Sequence, residues 1–117
     1  MPDLITRDTL DLALLRKPQG HKYDHGHVLV LTGGPGQTGA ARLAARGALR
    51  IGAGAVTLGV PPSAQMEVAI QVTAIMIRRI PDGAALEATL EDPRLNALCL
   101  GPALGLEDRR RDLIEVA

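Results

Sequence analysis

Two apolar runs stand out along the chain, HVLVLT at residues 27–32 and AVTLGV at 55–60. Neither alternates with polar residues as a half-solvated sheet would, so each predicts a strand covered on both faces. Pro61 and Pro62 end the second run. Between the runs, Ala40, Leu43, Ala44, Gly47, Ala48 and Ile51 recur at helical spacing. This predicts a helix that Thr38 can cap, that Gly52 and Gly54 can stop, and that turns those six positions to the core. Further on, AIMIRRI (74–80) predicts a third strand and NALCLG (96–101) a fourth. GAALEATLED (83–92) predicts a helix, residues 63–72 a short one, and LEDRRRDLIEVA (106–117) the start of another. Near the N-terminus, Thr6 can cap a helix running to about Arg16, with Leu10, Ala13 and Leu14 on one face, and RKPQGHKYDHGH (16–27) reads as loop. Strands that alternate with helices, and are themselves almost wholly apolar, imply βαβ units and a parallel α/β sheet. There is no repeat and no linker, so one domain is expected. Its last helix reaches Ala117 with Leu113, Ile114 and Val116 awaiting a partner, and the expectation is an N-terminal portion of a longer domain.

Composition narrows the chemistry. With 46% hydrophobic and 22% charged residues, the 117-residue chain can build a core, but Phe and Trp are absent and Tyr23 is the one aromatic. The core is therefore aliphatic, and the aromatic platforms used to stack single-stranded nucleic acid are missing. A formal net charge of zero supplies no field for nucleic acid or an acidic membrane. Cys99 is the only cysteine, so no internal disulfide forms, and its apolar setting reads as a buried, unreactive thiol. The mixed charges of the first residues do not make a secretory signal, and no apolar stretch reaches membrane-spanning length. A cytoplasmic protein is expected.

The candidate chemistry lies in the loop after the first strand. Gly34-Pro-Gly36-Gln-Thr-Gly39 fits G-x-G-x-x-G in the strand–loop–helix context that the motif requires. Gly34 would make the turn, Gly36 would admit close backbone approach, and the helix N-terminus would offer free N–H groups to an anion. A conventional dinucleotide fold also needs a ribose-binding acid about 20 residues on, at the end of the second strand. That strand ends TLGVPPS, and no carboxylate follows until Glu67. The alternative, a phosphate-binding P-loop, fails because Ala40 and Ala41 stand where Lys and Ser or Thr must be. A tight βα turn without a ligand is the remaining plain reading.

The stretch GHKYDHGHVLVLTGGPGQTGAARLAARGALRIGAGAVTLGVP (20–61) adds His21-Lys22, Gly26, Gly39-Ala40-Ala41, the Arg46–Arg50 segment and Gly52-Ala53-Gly54 in a specific order. Together with LGPALG (100–105), it resembles the N-terminal part of the NAD(P)H-hydrate dehydratases of the ribokinase-like superfamily. Two departures are Tyr23, where the pattern has Gly, and Ala103, where the second loop has its middle Gly; the added methyl would crowd a backbone that should approach a ligand. The resemblance implies a three-layer ribokinase-like α/β fold, present in part. It implies repair of hydrated NADH or NADPH, in which ADP (ATP in eukaryotic members) phosphorylates the new hydroxyl, with Mg²⁺, and phosphate then leaves. By the same resemblance, Ala40 contacts substrate at the end of the first loop, Gly39 allows the approach, and Gly101 and Gly105 flank a second contact. The family's Gly-Thr-Gly-Asp segment with its catalytic Asp does not occur before Ala117. The 117 residues alone are accordingly expected to lack dehydratase activity, and no catalytic residue is assigned within them. Two other functions stay open: a non-enzymatic nucleotide-binding or assembly module, and a small-molecule kinase of the same superfamily.

Other polar clusters carry both a sharp and an ordinary reading. Lys22 matches the family pattern and could meet a phosphate, or could simply be solvated. His21, His25 and His27 fall close together, with His25 and His27 on one strand face, but lack a further metal ligand and read as surface or loop-ordering histidines. Arg42, Arg46 and Arg50 form the wet side of the first long helix, and Arg109–Arg111 follow Glu107 and Asp108 as a solvated helix start with local ion pairs. Apolar edges of an open sheet predict a homo-oligomer.

Overall fold

The structure, a computed structural model, describes residues 2–105 and 108–117. Four parallel strands form one sheet in the order β3-β2-β1-β4, with β1 at His27–Leu31, β2 at Ala55–Val60, β3 at Met76–Arg79 and β4 at Ala97–Cys99. Helices cover both faces: α1 (Gly39–Ile51) and α2 (Gln65–Ala69) on one, α3 (Gly83–Leu90) and α4 (Asp108–Val116) on the other. The three-layer α/β arrangement expected from the sequence is present. Among the described residues no helix is long and apolar enough to cross a membrane.

The period-two geometry of the strands divides the core. On the α1 face, Val30, Val56, Leu58 and Val60 pack with Ala41, Ala45, Val68 and Ile75. On the other, Leu29, Leu31 and Ile80 meet Leu86, Leu104 and Leu113. Gly59 belongs to this second face, where a β-carbon would lie 2.6 Å from Leu31 and 2.7 Å from Ile80; its absence lets those two side chains close over β2.

Several expectations are corrected. The face of α1 that is buried carries Ala41 and Ala45, flanked by partly buried Ala48 and Leu49, whereas Leu43 is 70% and Ile51 64% exposed. The helix is thus turned by about one residue from the periodicity reading, because alanine at 41 and 45 lets its backbone approach the sheet more closely than leucine would. Thr38 occupies the N-cap without a side-chain cap bond, and of the two proposed stop glycines only Gly52 is left-handed (φ +127°). In place of the N-terminal helix there is one 3₁₀ turn, Leu12–Leu15, capped by Asp11, with Leu4, Ile5, Leu10 and Leu14 exposed. Without a core to pack on, so short a segment gains too little to nucleate an α-helix. A second 3₁₀ turn, Lys22–His25, interrupts the expected loop and is closed by a reciprocal capping box between His21 and Asp24. Leu113 of α4 does not lack a partner but is fully buried against α3. Leu106 and Glu107, which the sequence places at the start of the last helix, lie outside the described residues.

His25 and His27 do not share a strand face: His25 sits in the 3₁₀ turn, while His27 opens β1 and is 6% exposed. Its Nε2 bonds Thr57 Oγ1 at 2.7 Å and its Nδ1 has no partner. Tyr23 stacks on it, and the Asp92–Arg94 ion pair (2.7 Å) and Lys22 face the same cluster. Hydrogen bonds from the Arg94 guanidinium and from its backbone N–H hold the Asp92 carboxyl far below the usual carboxylate range. Burial pushes the His27 imidazole below its ordinary 6.5; Asp92 opposes this, while Arg94 and Lys22 add to it. The unfolded chain therefore binds a proton at His27 before the folded one does, so stability is whole above pH 6.5 and falls as pH drops through the window below it. In urea unfolding at stepped pH, His27→Thr should remove that part of the fall.

Two glycines should respond oppositely to alanine. A β-carbon at Gly54 would stand 1.4 Å from the Lys22 carbonyl oxygen, whereas none of the neighbouring atoms comes within 4 Å of one at Gly47. Gly54→Ala should cost about 2 kcal/mol or more, and Gly47→Ala should add about 0.5–1 kcal/mol, both measured by denaturant unfolding.

Candidate functional site

The strand order sets where a ligand can enter. From β1 the chain moves outward through β2 to β3, then returns to place β4 on the other side of β1. The loops leaving the carboxyl ends of β1 and β4 therefore diverge, and a crevice opens at this switch point, as in open α/β sheets generally. The first loop spans residues 32–38 and the second 100–105.

The two loops touch at Gly33. A β-carbon there would fall 1.9 Å from the Ala103 carbonyl oxygen and 2.9 Å from that of Gln37, so only glycine fits. Thr32, fully buried, anchors the start of the first loop by donating its N–H to the Gly59 carbonyl at 2.9 Å. The Gln37 N–H then donates to the Gly34 carbonyl at 3.0 Å, closing the turn, with Gly36 left-handed at φ +78°. In the second loop Gly105 is also left-handed, at φ +87°.

Beside this junction lies a mainly apolar groove of about 220 Å³, lined by Val30, Ala40, Ala44, Cys99, Gly101 and Leu104. The structure thus brings Ala40 and Gly101 into one groove, with Gly39 beside Ala40 at the head of α1 and Gly105 at the end of the second loop. Lys22 is not with them. Its carbonyl backs onto Gly54 at the opposite end of the sheet, and its Nζ lies 5.1 Å from the centre of the Tyr23 ring. Cys99 is half-buried in the groove wall rather than sealed in the core.

The head of α1 supplies the polar component. Its first bond from outside the helix runs from the Arg42 N–H to the Thr38 carbonyl at 3.0 Å, and the N–H groups of Gly39, Ala40 and Ala41 have no intrahelical acceptor. The loop is not bare throughout, however. The Gly36 N–H donates to the Glu67 carboxylate, 3.1 Å from Oε1 and 3.0 Å from Oε2. The expectation of a wholly free amide row is corrected at this position.

Glu67 and Arg42 are contributions that the sequence reading missed. Glu67 appeared there only as an acid too distant to hold a ribose; α2 carries it back over the loop. Arg42 does not lie wholly in the wet face of α1. Its Nε donates to Thr38 Oγ1 at 3.3 Å and its Nη1 to Gln71 Oε1 at 3.4 Å, and its Nη2 lies 3.9 Å from where a Gly39 β-carbon would be. Arg109 is likewise no solvated helix start. Its guanidinium donates to the carbonyls of Thr32 (2.9 Å) and Ile80 (2.9 and 3.1 Å), tying α4 to the carboxyl ends of the sheet. Among the described residues no group of three or more His, Cys, Asp or Glu could hold a metal ion. The described residues therefore offer no all-protein cage for Mg²⁺.

Comparison with known proteins covers most of the chain. Residues 28–117 match the family model described as NAD(P)H-hydrate dehydratase. The chain is 39% identical over 108 residues to a bifunctional NAD(P)H-hydrate repair enzyme of Moorella thermoacetica, covering 86% of this chain and 20% of that protein. It is 28% identical over 116 residues to an ADP-dependent (S)-NAD(P)H-hydrate dehydratase of Staphylococcus aureus, covering 97% of this chain and 41% of that one. The chain thus spans from a fifth to two fifths of the length of these relatives. In three dimensions it resembles a ribokinase-like superfamily protein of Enterococcus faecalis, with a TM-score of 0.71 at 18% identity, over 98% of this chain and 43% of the other.

Proposed function

Because the chain belongs to the NAD(P)H-hydrate dehydratase family, we propose that its two glycine loops form the substrate side of a site that repairs hydrated NADH or NADPH. The observation that carries this reading is the convergence of Ala40, at the head of α1, and Gly101, after β4, in one groove at the switch point of the sheet. The division of labour follows from chemistry. The unpaired amides of Gly39, Ala40 and Ala41 suit the diphosphate of a dinucleotide, because the positive end of a helix stabilises an anion without requiring a cationic side chain. The adjoining groove is apolar and too small for a whole dinucleotide, since drug-sized ligands occupy about 300–1,000 Å³. It suits one ring of the substrate, with Gly101 letting the backbone come close.

In this reading ADP donates the phosphoryl group to the hydroxyl created by hydration, as the name of the S. aureus relative suggests. The described residues hold and orient the substrate and exclude water from its ring. The transfer itself needs a base that these loops do not supply, and no step is assigned to Mg²⁺. The exposed Leu43 and Ile51 of α1 support self-association of the chain.

Titration of the ¹⁵N-labelled 117-residue chain with NADH tests the assignment. The amides of Gly39, Ala40 and Gly101 should shift together along one saturating curve, while that of Lys22 stays unmoved. Shifts confined to the Lys22 end of the sheet, or none at saturating NADH, would overturn it.

A further inference from the structure

The bond from Gly36 to Glu67 puts a carboxylate on the glycine loop, three residues before the amides assigned above to a ligand diphosphate. We propose that Glu67 is an internal anion that occupies the glycine loop and must be displaced before a phosphate-bearing ligand can bind; this rests on the reading of the loop given above. Both carboxylate oxygens lie at nearly equal distances from the one N–H, 3.0 and 3.1 Å, so the amide points between them, as it would toward two oxygens of a phosphate. Gly36 reaches this orientation only through its left-handed backbone (φ +78°), which leaves the space where a side chain would be open.

The placement of Glu67 suits a displaceable group. Its helix α2 is pinned from below by Ala64 and Val68, both fully buried, while the Glu67 side chain itself is only half-buried. The backbone can stay in place while the side chain swings out. No salt bridge within 4.0 Å holds the carboxylate among the described residues. Arg42, which leaves the head of α1, is engaged instead by Thr38 and Gln71. Glu67 is thus held by the Gly36 amide, in the same loop as the Gly39, Ala40 and Ala41 amides that a ligand phosphate would use.

Displacing Glu67 costs every phosphate ligand the same free energy, so the carboxylate sets a threshold that each must exceed. A small anion has only its charge to set against it, whereas a dinucleotide that also fills the groove lined by Ala40 and Gly101 adds further contacts.

The test compares the 117-residue chain with Glu67→Ala and Glu67→Asp, using inorganic pyrophosphate and NADH as probes and the ¹⁵N spectrum as a check of fold. In Glu67→Ala the Gly36 amide resonance should move from its position in the unaltered chain. Glu67→Ala should bind both probes about five-fold more tightly or better. Glu67→Asp, which keeps the charge but shortens the reach, should fall nearer to Ala than to Glu. A Gly36 amide unmoved in Glu67→Ala, or an Asp variant that binds as weakly as the unaltered chain, would overturn the proposal. If all three proteins bind NADH equally, the gate is wrong and the loop's binding role stands. If none binds either probe, both fall.

Discussion

At Gly33 the first glycine loop runs so close to the Ala103 carbonyl that a single added methyl would overlap it, at 1.9 Å. The rest of the site depends on this contact. It joins the loop after β1 to the loop after β4, two segments far apart in sequence, just where the strand order reverses. Because the backbones meet directly, Ala40 and Gly101 share one groove and the head of α1 opens beside it rather than into bulk solvent. Arg109 reinforces the junction by donating to the carbonyl of Thr32, the residue before Gly33.

Small residues govern the layer above. Ala41 and Ala45 bring α1 down onto Val30, Val56 and Leu58, which fixes the height of the helix head relative to the second loop. The same close approach leaves Leu43 and Ile51 outside the core. Charge is handled with equal economy: the field at the start of α1 is met within the chain by Glu67, on an element from the far side of β2.

Much of this was legible in the sequence. The largely apolar runs pointed to all four strands, and the glycine spacing between strand and helix located the loop after β1, because turns that need left-handed backbone at Gly36 leave a compositional mark. The groove partners Ala40 and Gly101 came from family resemblance, since nothing local to either residue signals that they meet. What could not be read depended on three-dimensional closeness. In α1 nearly every position is Ala, Gly, Leu or Arg, so the periodicity could be phased on the wrong face, and only the fit against the sheet decides. Glu67 lies beyond two prolines, and its return over Gly36 follows from the path of α2. Gly33 looked like the less important member of a glycine pair, because the atom that forbids a side chain there belongs to Ala103. Lys22 shows the opposite case: its place in a familiar motif suggested the phosphate site, yet the 3₁₀ turn holds it at the other end of β1.

The most direct test of the account is the affinity of Gly33→Ala for NADH, measured by calorimetry on the 117-residue chain, with circular dichroism reporting on the sheet. If contact between the two loops creates the site, the variant should keep its α/β spectrum and lose affinity by about tenfold or more. An alanine variant that binds NADH as tightly as the unaltered chain would show that the Gly33–Ala103 junction does not make the site, and the central claim would be wrong.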